Sequence, residues 1–235
     1  MTAINTMKSL PTILALLLLS STVAAERPPV ILTTHELPPY GSTQADGSFR
    51  GVAADVVACV FAKMKRPFVN KIVPWKRAQI LVQKDKAAGF YAGSKNAHRE
   101  TYARASAVIA DQKWMWYFAK GSSWNPADAD FKAKARVASF AGANMHKWLT
   151  DNGFNITANP KTHEQLLLMV ARGRLDAALV NNYVGDATVG KLKLQDRLRT
   201  VVNRDKPLSV HFSKAFLARQ PGFLEEFDGH VVGCR

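Results

Sequence analysis

The chain has 235 residues, 47% hydrophobic and 21% charged, with 32 Lys and Arg against 18 Asp and Glu and a formal net charge of +14. That length suffices for one large core or two lobes of about a hundred residues each, and no stretch beyond the first 25 residues is apolar enough to span a membrane. The basic residues are dispersed, not clustered with interleaved aromatics, which argues against nucleic acid as a partner; the positive sign fits an anionic ligand, an anionic envelope surface or simply a solvated basic face.

Residues 1–25 carry Lys8, the apolar run 13–19 and small residues up to Ala25. This pattern predicts a secretory signal cleaved after Ala25, with Met7 as an alternative start. The apolar run is too short for a comfortable membrane span, and no cysteine lies at the cut to carry a lipid. The product is therefore expected to be soluble and periplasmic. In that oxidising compartment Cys59 and Cys234 can pair. The neighbours of Cys59, namely Val56, Val57, Val60 and Phe61, favour instead a small core residue.

Residues 30–35 read as a first strand, followed by the turn Pro38-Pro39-Tyr40-Gly41 and a polar loop through Asp46-Gly47. Gly51 then opens a helix on which Val52, Val56, Val60 and Met64 recur at helical spacing, and Pro67 stops it. A strand over 69–73, a helix over 75–83 and a strand over 88–91 follow. The segment 88–106 continues as a polar loop with Arg99 opening the next helix. The rhythm restarts with a strand over 135–140, a helix from Gly142 to Leu149 and a helix capped by Thr162 and Gln165 that runs to Arg172. Gly173 ends that helix, and a strand over 175–180 follows it. Between the two units lie an aromatic strand, 114–120, and the loop 121–129.

Alternating strands and helices indicate mostly parallel α/β sheets. If the last segment, strand-like from Leu208 and helical through Phe223, Phe227 and Val231, returns to the first unit, the chain crosses between lobes twice. The cleft then lies at the carboxyl ends of both sheets, where open α/β sheets bind ligands. The six histidines are scattered, and neither His35-Glu36 nor His163-Glu164 has a second histidine at metalloprotease spacing. No nucleophile elbow, phosphate loop or dinucleotide fingerprint is present. No metal or cofactor is expected, and nothing demands catalysis.

The ordered series of strand, Pro-Pro-Tyr turn, Gly-initiated helix, Pro74-Trp75-Lys76-Arg77-Ala78 and a polar loop ending in Arg99 resembles the family 3 periplasmic solute-binding proteins. These are the polar-amino-acid receptors of ABC importers. Gly173-Arg174-Leu175-Asp176-Ala177-Ala178-Leu179 resembles the stretch preceding a ligand residue in their second lobe. The resemblance implies the two-lobed, type II periplasmic-binding-protein fold with two crossover hinge strands. Residues 26–118 and 207–235 would form lobe 1, and residues 119–206 lobe 2.

By the same resemblance Arg99 binds a ligand carboxylate, helped by the Ser94 hydroxyl and donors around Tyr91, while Trp75 stacks on the ligand and Tyr40 lines the opposite wall. Asn144 meets the carboxylate at a helix start, and Arg77 leans toward an acidic or polar anionic solute. Asn181 stands where relatives usually carry an aspartate that meets an ammonium group, and Thr34 replaces an acidic partner in the first lobe. The ligand implied is a small polar, carboxylate-bearing solute, an amino acid or a related compound, and the departures at Asn181 and Thr34 point away from an ordinary α-amino acid. Relatives usually continue with a further turn and helix beyond the position of Arg235. The implied function is a monomeric receptor that closes on its solute and delivers it to an inner-membrane ABC permease. Two alternatives share the fold: a sensor module feeding a membrane signalling protein, and a dehydratase-like enzyme using Glu36 or His98 as acid or base.

Overall fold

The computed structural model describes Met1 and residues 28–235, so the predicted signal and its cleavage site lie, Met1 apart, outside the described residues. Strand β1 (Val30–Thr34) leads through the small hairpin β2 (Ser42–Thr43) and β3 (Phe49–Arg50) into helix α1 (Val52–Lys63). Gly51 sits at φ 143°, and a Cβ there would stand 2.6 Å from the Pro39 carbonyl oxygen, so only glycine fits the approach of this turn to the helix. The carbonyls of Pro39 and Tyr40 accept from the amides of Val52, Ala53 and Ala54, satisfying the otherwise orphaned first turn. Val56 and Val60 of the expected face are buried, with Ala53, Val57 and Phe61 widening the buried stripe, and Met64 is half-buried against the same core; only Val52, at the helix start, is left 49% exposed.

Strand β4 (Phe68–Ile72), helix α2 (Trp75–Gln83) and strand β5 (Gly89–Ser94) follow as expected, with β5 three residues longer at its end. The short helix α3 (Ala97–Tyr102) passes directly into β6 (Ala103–Ala110). The chain then forms β7 (Lys113–Ala119), α4 (Phe131–Lys134), β8 (Val137–Ser139), α5 (Asn144–Asp151), α6 (His163–Ala171) and β9 (Ala177–Asn181). It continues through α7 (Asn182–Leu192), β10 (Leu198–Asp205), β11 (Leu208–Ser213), α8 (Lys214–Arg219) and α9 (Phe223–Val231). The α6 cap forms as read: the Thr162 hydroxyl accepts from the Gln165 amide at 3.0 Å.

Two sheets result. The first has the order β4-β1-β5-β11-β6, with β11 antiparallel to both its neighbours; the second has the order β10-β7-β9-β8, with β7 antiparallel to β9 and β10. The returning β11 therefore rejoins the first lobe, and the α/β two-lobed fold stands. Its boundary needs correction, because residues 113–118 of β7 pair in the second sheet and not the first. The crossings fall around Asp111-Gln112 and Lys206-Pro207, and the Lys206 amide donates to the Gln112 carbonyl at 2.8 Å, tying the two connecting segments together. Trp114, Trp116 and Phe118 alternate onto one face of the second sheet, while Tyr117 packs on the other.

The core reading of Cys59 is also corrected. It forms a disulfide with Cys234, Cα to Cα 5.8 Å. Cys59 lies half-buried on the flank of α1 and not among its inward residues. Helix α9 packs beside α1, with the Phe61 and Phe227 rings 5.8 Å apart, which carries residue 234 to that flank. Just beyond it Arg235 pairs with Asp111, at the first lobe crossing, at 2.6 Å.

Candidate ligand-binding cleft

The two lobes meet over a small cavity of about 40 Å³ lined from both sides, by Trp75, Ser94 and Arg99 of the first lobe and by Asn144, His163 and Asn181 of the second, among others. On a scale where a water needs roughly 10–15 Å³ this is room for about three waters. A larger solute requires the lobes to part. A second cavity of about 340 Å³ adjoins it and shares His35, Leu37, Phe140 and His163, so these four side chains partition the inner chamber from the outer one.

Arg99 is positioned by three local devices. Asn96 caps α3, its Oδ1 accepting from the Arg99 amide at 2.8 Å. Gly93 leaves the space that the guanidinium fills, since a Cβ there would meet Trp75 at 3.1 Å and Arg99 Nη1 at 3.2 Å. Ala92, at φ 63°, takes the left-handed conformation where the β5–β11 register shifts, turning the end of β5 toward the cleft. The guanidinium donates from Nε to Gln79 Oε1 at 3.1 Å and from Nη1 to the Ser94 carbonyl. Its carbon lies 5.1 Å from the Trp75 ring centre and 5.6 Å from that of Phe90. It is only 2% exposed, and no Asp or Glu among the described residues pairs with it. Burial pushes its pKa down to about 10.

Across the cleft Asn144, the first residue of α5, donates to Ser94 Oγ at 2.9 Å and accepts from Asn96 Nδ2 at 2.7 Å. Asn181 ends β9 and caps α7; its Oδ1 is buried without a hydrogen-bond partner. His35 tilts against Trp75 with ring centres 4.5 Å apart, so the Trp75 face expected to take ligand is covered by imidazole in this closed arrangement. His163 stacks on Phe140 at 4.8 Å.

The structure thus brings Arg99, Trp75, Ser94, Asn144 and Asn181 to one chamber. Three other residues expected there lie elsewhere. Tyr40 is fully buried in the first-lobe core with its hydroxyl on the Asp111 carbonyl at 3.1 Å. Tyr91 alternates to the opposite face of β5 and donates to Asn70 Oδ1 at 3.0 Å. Arg77 is exposed on α2, two residues from Trp75 and hence on another helix face. Sequence reasoning missed His35, Gln112, Trp114, Phe140 and His163, which line the chamber, and Asn96, which donates to Asn144 across it. Asn96 carried a legible signal, a capping residue three positions before Arg99. Of the residues considered for acid or base chemistry, Glu36 is engaged with Thr43, its Oε1 2.6 Å from the hydroxyl, and His98 is exposed on α3.

Burial pushes His35 down to about 3, helped by the charges of His163 and Arg99; it pushes His163 down to about 4 and His211 down to about 3. These folded values lie below the ordinary 6.5, so below pH 6.5 the unfolded chain takes up protons that the folded chain refuses. Stability is full above pH 6.5 and is lost as pH falls toward 3 to 4. Urea unfolding is expected to show a loss of about 1–2 kcal/mol per buried histidine between pH 7 and pH 5. Equal stability at the two pH values would mean that these imidazoles titrate freely in the folded protein.

No protein-family model matches the chain, and no curated protein matches it in sequence. Solved structures do match its fold. A histidine kinase sensor domain similar to periplasmic binding proteins superposes with a TM-score of 0.75 at 14% identity, covering 88% of this chain and 90% of that one. An ancestral arginine-binding protein bound to arginine gives a TM-score of 0.71 at 17% identity, covering 88% and 92%. An ABC uptake transporter substrate-binding protein from Streptococcus pneumoniae with bound histidine gives 0.71 at 13%, covering 87% and 85%. The chain has the fold of periplasmic binding proteins, and these neighbours bind or sense; at such identities the likeness is one of fold. No helix among the described residues is long and apolar enough to cross a membrane.

Proposed function

We propose that this protein is a periplasmic solute receptor that captures a small carboxylate-bearing solute between its lobes and delivers it to an inner-membrane ABC permease. One observation carries the reading: Arg99 is a buried guanidinium without a carboxylate partner among the described residues, at the meeting of two lobes. An uncompensated buried charge is costly. A ligand carboxylate supplies the missing charge and accepts from the planar fork. Trp75 forms the apolar wall beside it, and Asn144 and Asn181 add contacts that exist only when the lobes close, so closure follows from differential binding.

The likeness to a kinase sensor domain favours a second reading, in which the same closure is presented to a membrane signalling protein. Both share the first step. A thermal-shift screen of the purified chain from residue 26 against carboxylates, sugars and polyamines tests that step. Carboxylates are expected to raise the melting temperature in proportion to the logarithm of their concentration once saturating. Stabilisation by sugars or polyamines alone would overturn the reading, and co-purification with a permease or with a membrane kinase separates the two destinations.

A further inference from the structure

Among the described residues, the lining of the inner chamber contains one permanently charged residue, Arg99, and no Asp or Glu. Its remaining polar groups are neutral: Ser94, Gln112, Asn144, Asn181 and the two imidazoles of His35 and His163, which burial keeps unprotonated at neutral pH. Ser94 Oγ and Asn144 already engage each other. The buried side-chain acceptor left without a partner is Asn181 Oδ1; the unpartnered Nδ1 of His35 is a second one in the tautomer that carries its proton on Nε2. Such groups are completed by neutral donors, a hydroxyl or an amide N–H. An ammonium group in their place would be desolvated without any anion from the protein, beside a guanidinium of the same sign.

Resting on the receptor reading above, we infer that the solute is an organic acid without a charged amine, such as a hydroxy acid, whose carboxylate faces Arg99 and whose neutral donor faces Asn181. The chamber selects by what it lacks. Glu36 and Glu164 line only the adjoining outer cavity, where Glu36 holds the Thr43 loop and Glu164 pairs with Lys191 at 3.1 Å, so neither offers an anion to a group beside Arg99.

Matched pairs of one carbon skeleton test this: lactate against alanine, phenyllactate against phenylalanine, 2-hydroxyglutarate against glutamate, each titrated calorimetrically into the intact protein at pH 7.5. In at least one pair the hydroxy acid is expected to bind about tenfold more tightly or better, the scale of one unpaired buried charge. Asn181→Asp, which places an anion at that position, is expected to reverse the preference of the pair. Tighter binding of the amino acids to the unaltered protein would overturn the inference and leave the receptor reading intact. Binding of neither class would overturn both. If Asn181→Asp fails to fold, the pairs measured on the unaltered protein still decide the question.

Discussion

Arg99→Met is expected to remove carboxylate binding, with affinity falling by about a hundredfold or more, because two charge-assisted hydrogen bonds at about 1.5–3 kcal/mol each are lost. The folded state should tolerate the change. Methionine fills the space between Trp75 and Phe90, and removing an unpaired buried charge offsets what is lost when the Ser94 carbonyl and Gln79 lose their donor. Denaturant unfolding should therefore differ from the unaltered protein by no more than about 2 kcal/mol. Arg99→Lys keeps the charge but not the planar fork and should retain weak binding. If Arg99→Met binds carboxylates as well as the unaltered protein, the guanidinium serves only the packing of α3 against Trp75.

The second large effect concerns the disulfide. Cys59 and Cys234 are separated by 175 residues in sequence, so their bond closes a loop over most of the described chain. Replacing both by alanine is expected to lower the unfolding free energy by about 2–5 kcal/mol, since the unfolded chain regains the freedom the loop denied it. The loss should be matched by adding reductant to the unaltered protein. Ligand affinity should change little, because the bond joins α1 to the end of the chain on the outer flank of the first lobe. A double variant as stable as its parent would show that α9 holds its place through Phe223, Phe227 and Val231 alone.

Local pattern carried much of the fold. Helix α2 begins and ends where the sequence places it, because Pro74 starts it and its inward residues Trp75, Ala78 and Val82 keep helical spacing. Strand β6 escaped notice for physical reasons: ARASAVIA is rich in alanine, alternates weakly, and finds its partner only in β11, far along the chain. Strand β10 is an edge strand whose alternating exposed residues resemble a polar loop. The same division holds for the cleft. Trp75, Ser94 and Arg99 belong to one lobe and to short ordered strings, so they could be read. His35 beside His163, and Asn96 beside Asn144, become neighbours only when two separately folded lobes meet. Tyr91 and Arg77 failed for a simpler reason: neighbours in sequence share neither a strand face nor a helix face, so proximity to a pocket residue does not place a side chain in the pocket.

Asn96 uses both ends of one amide: its oxygen holds the first turn that carries Arg99, and its nitrogen reaches across to Asn144. Lobe closure and the aim of the guanidinium are therefore joined through a single planar group. Under thermodynamic reciprocity, whatever factor closure adds to solute affinity, the solute adds to closure. A membrane partner that grips the parted lobes would for that reason discharge its cargo without touching it, by the same factor that the cargo weakens the grip.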